Sequence, residues 1–408
     1  MNKQKNKNNI YLPLMHIKLK ANKFIRNIFL FSIIFIVSPN LHAQQNSQVT
    51  FHGFLEYTNT TWAPATSNQW VGFSGIHNRI DIHWYPGNNL TFHLGLRNNI
   101  EFGSMLAKFY PIYNNYLTRQ NGWMDLTFKL TEGRSYILYS NIDRMNFKWT
   151  IKNLEISIGR QRINWGINLI WNPNDIFNTY NYFNFDYIER PGSDAVLLQY
   201  YTGALSSIQV AAKLDKNKQL TAAVNYKFNA LNYDFQFIGG IMNKNIVAGI
   251  GWAGQIGGAG FTGEGSYFNS AEHFSDSTGQ LIFSIGANYT FKKGLYLNTS
   301  FIYNSKGATG NAGFRNLFEM GNLSPKTLTL ARTEIFGEIS YPFTPLIKGD
   351  FSSILNPWDG SAFLGPSLTF NLTENMELYV MGQLFTGKKG TEYGQFGQMF
   401  YIRLKWSF

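Results

Sequence analysis

Cysteine is absent from the 408 residues, and charged residues make up only 14% of them. The absence of cysteine excludes disulfide bonds, thiolate-bound metals, cysteine nucleophiles and a lipid-modified N-terminal cysteine. Soluble domains usually contain about 25% charged residues. The low charged fraction therefore argues against a soluble protein of two or three ordinary domains, which the length alone would suggest.

Long apolar runs are also missing, and the mean hydropathy is −0.20. A helical membrane protein would contain apolar runs of about 18 residues or more. Aromatic residues nevertheless reach 17%, with 35 Phe, 23 Tyr and 10 Trp, which excludes a disordered chain. A chain in which polar residues dilute the apolar ones in this way is typical of a transmembrane β-barrel.

The first 43 residues have the order of a secretory signal peptide. Seven basic and no acidic residues precede the apolar run from Ile28 to Val37, and a small residue, Ala43, ends the segment. The run is short for a membrane anchor, which is the alternative. We predict export with residues 1–43 removed, whether translation starts at Met1 or Met15. Without them the formal charge falls from +11 to +4, so the basic composition does not indicate a nucleic-acid partner.

From residue 44 onward, apolar and polar residues alternate. In the last segment Phe400, Ile402, Leu404, Trp406 and Phe408 interleave with polar or charged residues. Because successive side chains of a strand point to opposite faces, one face of this strand is apolar. Comparable runs of about ten residues, the length that a tilted strand needs to cross a bilayer, recur along the chain. No stretch shows sustained helical periodicity.

The connections between these runs alternate between tight turns and longer loops, as in antiparallel membrane barrels. We predict an all-β fold in which residues 44–408 form a single transmembrane antiparallel β-barrel of about 18 strands, within a range of 16 to 20. Residues 122–142 fit this count least clearly and could contain two short strands. The barrel has to close, because hydrocarbon offers no hydrogen-bond partner to an open sheet edge.

The polar faces of the strands would line the lumen and carry several basic residues. The candidates that we place there are Arg79, Arg97, Arg144, Lys148 and Arg403. A positively lined narrow pore favours anions. The alternative is that these charges pair across strands and only fill the wall. Residues 246–256 and 259–265 are rich in Gly and Ala, which would leave room for a loop or plug against that part of the wall.

The segment 159–194 differs from the rest of the chain. A strand ends in Gly159-Arg160-Gln161-Arg162, and about 30 residues without clean alternation follow. A loop of this length is often functional or folded inward. A turn is expected where Asn172 is followed by Pro173. Alternation alone would point Arg160 and Arg162 at lipid, so either Gly159 forms a bulge or both arginines lie above the membrane.

The pattern of this segment resembles that of uncharacterised porin-like outer-membrane β-barrels, which are related in architecture to alginate-export-type barrels. The matching residues are Gly159, Arg160, Gln161, Trp165, Gly166, Asn172, Pro173 and Asp175. The resemblance implies a loop that packs into the lumen and narrows it. We therefore expect an inward loop at 163–192. The alternative is an outer cap held together by its aromatic residues.

The candidate constriction residues on this loop are the basic and polar members of the motif and its tryptophan. They are Arg160, Arg162, Trp165, Asn172 and Asp175. The two arginines would form the charged edge of the constriction.

Three histidines that share the inward face of neighbouring strands are the candidates for a catalytic or metal site. His77, His83 and His93 could bind a metal or orient a base with Asp81. No HExxH, P-loop or GxSxG motif occurs, and no serine stands out as a nucleophile. We predict that the protein is not an enzyme and needs neither a metal nor a cofactor.

The sequence therefore predicts an outer-membrane porin-like channel for passive diffusion of small solutes, with a preference for anions as the finer prediction. The alternatives are a non-conducting barrel for adhesion or assembly, and a specific exporter or importer of a hydrophobic or polymeric substrate. The expected partners are outer-membrane lipids, small solutes and the barrel-assembly machinery, which would read a C-terminal signal at Trp406 and Phe408. A homotrimer is left open.

Overall fold

The computed structural model describes residues 48–119, 122–179, 182–183, 192–275, 278–313 and 324–408. The predicted signal peptide lies outside these residues, so the boundary at residue 43 stays a prediction. Within these residues the helices are α1 (Ser104–Phe109), α2 (Ile112–Leu117) and a 3-10 helix (Pro325–Thr327). None of the helices in the described part of the chain is long and apolar enough to cross a membrane.

The strands are β1 (Val49–Ala63), β2 (Val71–Gly87), β3 (Leu90–Phe102), β4 (Thr127–Glu132), β5 (Tyr136–Ile151), β6 (Leu154–Gln161), β7 (Ser193–Gly203), β8 (Ser206–Leu214), β9 (Leu220–Ala230), β10 (Tyr233–Met242), β11 (Asn245–Ile256), β12 (Ala259–Ser270), β13 (Gln280–Thr290), β14 (Tyr296–Asn304), β15 (Thr333–Thr344), β16 (Ile347–Asn356), β17 (Ser361–Thr373), β18 (Met376–Thr386) and β19 (Gln398–Ser407).

These strands form a closed antiparallel barrel. Each strand of the ring pairs with its neighbours in sequence, except that β3 pairs with β5, and β1 closes the ring on β19. β4 pairs only with β5, at residues 137–141 near the beginning of that strand. Within the described residues the ring therefore contains eighteen strands, which confirms the predicted fold class and strand number. Closure leaves no unpaired edge along the ring.

The alternating pattern places apolar side chains on the outer surface. In β19 Phe400, Ile402 and Leu404 are exposed, whereas Met399 and Tyr401 are buried on the inner face. Eight tight turns, from the one between β2 and β3 to the one between β17 and β18, lie at one end of the barrel, here called the turn end. The longer connections lie at the other end, the loop end, together with the two-residue turn between β10 and β11. Exposed outer aromatic residues form a belt near the turn end: Trp84, Trp149, Tyr200, Tyr226, Tyr289, Phe291, Tyr341 and Phe343. Such a belt is typical of a membrane interface.

A different strand pairs with β5 beyond the point where β6 ends. β5 extends beyond the end of β6, and β4 pairs there with Ile137–Asn141 of β5. An isolated bridge joins Gly122 to Asp215, just after β8. The segment that contains β4 therefore occupies the place in the wall that β6 leaves free. Of the two short strands considered within 122–142, the first is β4 and the second is the beginning of the long β5.

Helices α1 and α2 fold inward at the loop end. Met105 and Leu106 of α1 are buried against inward side chains of β2 and β5, among them Phe73 and Ile137. Tyr113 of α2 packs edge-on against Phe73, with ring centroids 5.3 Å apart. Two helices of six residues are too short to show a helical period, so the alternation pattern gives no sign of them.

Candidate functional site

Residues 163–179 lie inside the barrel, against the inner faces of β10 to β13. The side-chain amide of Gln236 on β10 donates to the carbonyl of Trp165 at 2.7 Å. Ser266 on β12 donates to the carbonyl of Pro173 at 3.0 Å. The side chain of Asn174 donates to the carbonyl of Ile250 on β11 at 2.8 Å. This segment, called the inward segment below, is thus attached to the wall largely through backbone groups.

Glycines on β11 leave the space that the inward segment occupies. A Cβ atom at Gly249 would lie 2.8 Å from Oδ1 of Asn174. At Gly251 it would lie 2.7 Å from Cδ1 of Ile167. Real Cβ atoms essentially never come this close to their neighbours. The small residues noticed in the sequence at 246–256 are therefore the ones against which the segment packs.

The predicted loop residues Trp165, Asn172 and Asp175 are all buried and form the internal packing of the inward segment. Trp165 packs edge-on against Phe177, with ring centroids 4.9 Å apart. Gly166 lies against the side chain of Asn172, so that a Cβ atom there would overlap it. The backbone N–H of Asp175 donates to the carbonyl of Asn172 at 3.1 Å, which forms the expected turn.

The other face of the inward segment is open. Arg162, Asn164 and Leu169 are exposed, although most residues from 163 to 178 are buried. Of the predicted loop residues, Arg162 is thus the one whose side chain a solute in the lumen could reach.

Arg160 lies within the wall. Its guanidinium donates to Asp194 on β7 at 2.7 Å, to the carbonyl of Met124 at 2.6 Å and to the carbonyl of Ile142 at 3.0 Å. It thereby supplies hydrogen bonds at the point where β6 leaves the ring. The preceding Gly159 has a φ of 120°, and this backbone conformation, rarely adopted by other residues, accompanies the burial of Arg160 away from lipid.

Residues 182 and 183 contact the opposite part of the inner wall. Phe183 packs edge-on against Phe363 on β17, with ring centroids 5.0 Å apart. Tyr182 packs similarly against Phe336 on β15 at 5.2 Å. Phe183 also lies 6.1 Å from Tyr393 in the loop between β18 and β19. The remainder of the predicted loop, 180–181 and 184–191, lies outside the described residues.

A second group of side chains faces the lumen from β1, β2, β3 and β5. His77 lies between Glu56 at 3.1 Å and Glu101 at 2.8 Å. Nearer the turn end, Arg79 donates to both Asp81 and Asp143. We call this group the charged cluster, and its members are Glu56, His77, Arg79, Asp81, Arg97, Glu101, Asp143 and Arg144.

Each basic residue predicted to line the lumen has a carboxylate close by. Arg97 lies 3.7 Å from Glu56, and Arg144 lies 3.9 Å from Asp143. The other pairs are Arg79 with Asp81 and Asp143, Lys148 with Glu155, and Arg403 with Glu377. The charges of these five residues are therefore largely compensated within the wall. This is the second of the two arrangements considered from the sequence, in which the charges pair across strands.

Two acidic residues of the site were missed by the sequence analysis. Strict alternation assigns Asp143 and Asp194 to the outer face, together with Met145 and Val196. A register shift between β3 and β5, next to Gly95, turns Asp143 toward Arg79. Asp194 is covered by Arg160 and by the backbone N–H of Met124, which donates to it at 2.8 Å. The extra residue reverses the phase of the alternation in β5, so strict alternation carried back from Met145 assigns Asp143 to the wrong face.

Of the histidines considered for catalysis or metal binding, His77 has other partners than His83 and His93. His83 stacks on His93 with ring centroids 4.1 Å apart, and His93 contacts Asp81 at 2.9 Å. His77 is engaged by Glu56 and Glu101 instead. Among the described residues, no group of three or more His, Cys, Asp or Glu side chains is arranged to hold a metal ion.

The ring of strands, its apolar outer surface and its partly filled lumen define the fold of an outer-membrane porin. No protein-family model matches the sequence, and no curated protein is detectably similar to it. Solved porin structures do match. OccAB2 of Acinetobacter baumannii superposes with a TM-score of 0.58 at 8% identity, covering 88% of this chain and 98% of that one.

Two further porin structures show the same fold. OccAB1 of Acinetobacter baumannii has a TM-score of 0.56 at 9% identity and covers 90% of this chain and 98% of its own. OccK5 (OpdH) of Pseudomonas aeruginosa has a TM-score of 0.56 at 8% identity and covers 88% and 96%. At such low identity the likeness shows the fold. The porin-type barrel and its apolar belt place the protein in the outer membrane.

Proposed function

We propose that the protein is an outer-membrane channel through which small solutes diffuse, and that it performs no catalysis. The observation that carries this proposal is the position of the inward segment, which lies inside the closed ring against β10 to β13 and narrows the lumen without covering its own open face. A passage beside this segment would be bordered by Arg162, Asn164 and Leu169.

The constriction would be formed by the loop 163–192, with Arg162 at its edge. Arg160, Trp165, Asn172 and Asp175 would support it from behind, because their side chains are buried in the wall or in the loop itself. A loop anchored mainly through its backbone at several points keeps its position in the lumen when single side chains change.

Single-channel conductance in planar bilayers tests this proposal. Wild-type protein should give discrete openings, and deletion of residues 168–186 should raise the conductance severalfold, because it removes most of the inward segment. A closed trace from the wild type would favour the non-conducting alternative. An unchanged conductance after the deletion would show that the loop does not limit passage.

A weak preference for anions is a finer proposal. It is supported by the exposed, basic side chain of Arg162 on the inward segment. The pairing of Arg79, Arg97 and Arg403 with carboxylates limits its size. We expect a reversal potential slightly toward anions in a salt gradient, and a shift toward cations in Arg162→Glu. Lys292→Glu, in the turn between β13 and β14, carries the same charge change and should leave the potential unchanged.

The affiliation with the alginate-export-like barrels is likewise proposed rather than established by the porin fold. It is supported by where the motif residues lie: Gly159 and Arg160 are at the exit of β6 from the wall, and Gly166 packs on Asn172 in the inward segment. The motif thus marks the structural transition from wall to loop. We also propose that the barrel-assembly machinery recognises the C-terminal strand, and that the barrels associate as a homotrimer.

A further inference from the structure

A cavity of about 590 Å³ lies at the loop end, at the rim of the wall formed by β2, β3 and β5. It lies between the beginning of β2, the beginning of α1 and the turn that leads into β5. The lining residues that matter for its chemistry are Trp70, Ser104, Lys108, Arg134 and Ser135. None of them takes part in the inward segment or in the charged cluster.

The cavity borders the lipid-facing surface of the barrel. Trp70 is 64% exposed and stacks on Phe400, with ring centroids 6.2 Å apart and an interplanar angle of 17°. Phe400 belongs to the outer, apolar face of β19. Phe102 and Tyr136, the neighbouring ends of β3 and β5, are also exposed on that outer face. The cavity thus lies at the level where the outer aromatic residues end and lipid headgroups begin.

The charge of the cavity is positive and not compensated. Lys108 and Arg134 are both exposed. Among the described residues, neither forms an ion pair with a carboxylate, whereas the nearby Lys129 is paired with Glu132 at 2.5 Å. The hydroxyl of Ser104 is held in place by the backbone N–H of Gly72, which donates to it at 2.8 Å. The arrangement offers two cations beside an indole ring.

We propose that this cavity binds a phosphate group of a phosphorylated glycolipid in the outer leaflet of the membrane. An arginine can donate two parallel hydrogen bonds to a phosphate, and a lysine adds a compact positive charge. Trp70 would lie against the sugar or the first acyl carbons, as indole rings do at membrane interfaces. The short turns of such barrels face the periplasm, so the loop end meets the outer leaflet. The proposal does not depend on whether the lumen conducts.

Binding of lipid A to the folded barrel in detergent tests the proposal. Native mass spectrometry would compare bis-phosphorylated with dephosphorylated lipid A. The wild type should retain the phosphorylated lipid, and the double variant Lys108→Ala/Arg134→Ala should bind it about tenfold more weakly, because two charge-assisted contacts are lost. The control Lys292→Ala/Lys293→Ala removes two exposed charges at the turn end and should bind like the wild type. Heat-modifiable migration on gels confirms that each variant is folded.

Trp70→Ala provides a second variant and should weaken binding severalfold without any change of charge. Equal binding of phosphorylated and dephosphorylated lipid A would overturn the proposal, as would a double variant that binds like the control. Inorganic phosphate that binds at the same site as tightly as the lipid would also overturn it, because the cavity would then be a site for anions from solution.

Discussion

Gly159 combines a backbone requirement with a position at the exit of β6. Its φ of 120° is unfavourable for residues with a side chain, and a Cβ atom would overlap the carbonyl oxygen of Met145. We expect Gly159→Ala to lower the free energy of unfolding by about 1–3 kcal/mol. Urea unfolding followed by tryptophan fluorescence measures it. Gly239→Ala is the control, since nothing lies within 4 Å of a Cβ atom there. Equal stability of the two variants would contradict the prediction.

Arg79 holds two carboxylates together at the centre of the charged cluster. Its side chain and that of Asp143 are each only 3% exposed. Arg79→Ala would remove the cation that Asp81 and Asp143 share and leave Asp143 dependent on the more distant Arg144, at 3.9 Å. We expect a loss of about 3 kcal/mol of stability. Lys148→Ala breaks the pair with Glu155, but the side chain of Lys148 is 41% exposed, so the loss should stay below about 1 kcal/mol. The same urea titration compares them, and a loss no larger for Arg79→Ala would refute the argument.

At the scale of elements, the inward helices α1 and α2 pack against one small apolar cluster, which β2 and β5 complete. Leu106 is fully buried between β2 and β5. We expect Leu106→Ala to cost about 2–4 kcal/mol locally, so that residues 104–119 are cleaved several times faster by protease while the barrel stays intact. Ile112→Ala, which truncates an exposed side chain, serves as the control. Unchanged cleavage in Leu106→Ala would show that the helices are held by other contacts.

β6 and the inward segment show how an element can be built from contacts that are far apart in sequence. The wall supplies hydrogen-bonding side chains such as Gln236 and Ser266, and the segment presents its backbone to them. β4 then restores the pairing that β5 would otherwise lose. The inward position of the loop is therefore a property of this part of the barrel as a whole, and the exit of β6 is stabilised on both sides.

At the scale of the whole molecule, ring closure joins the two ends of the described chain. Gly53 and Phe408 exchange two backbone hydrogen bonds of 3.0 Å, and Gly53 leaves room for the ring of Phe408. If Phe408 is read during assembly, Phe408→Ala should reduce the amount of barrel in the outer membrane of cells severalfold. Refolding of the same variant in detergent should change little, because the backbone pairing is kept.

Phe400→Ala is the matched control for this prediction. Phe400 also faces outward on β19, but it lies near the beginning of the strand and not at the C-terminus. Cell fractionation and gel migration measure both variants. An equal loss of Phe400→Ala and Phe408→Ala from the membrane would indicate a general requirement for aromatic residues rather than a terminal signal.

The architecture could be predicted from the sequence because the relevant signal is local. Side chains alternate across a strand with a period of two, so the outer face of β19 was visible in Phe400 to Phe408 without any knowledge of its neighbours. The number of strands followed from repeated runs and turns. The room at Gly249 and Gly251 and the unusual segment 159–194 were visible for the same reason, since composition and spacing are properties of a single stretch of chain.

The content of the lumen was decided by tertiary structure. The inward helices are too short to carry a period, and Asp143 reaches Arg79 only because of a register shift between two strands. Phe183 meets Tyr393 across more than half the length of the chain. By itself the sequence determined that one face of each strand meets lipid, since this depends on each strand alone. Which charges are compensated, and which side chains remain open to a solute, depends on closure of the ring, because only closure brings the distant strands and the inward loop into one lumen.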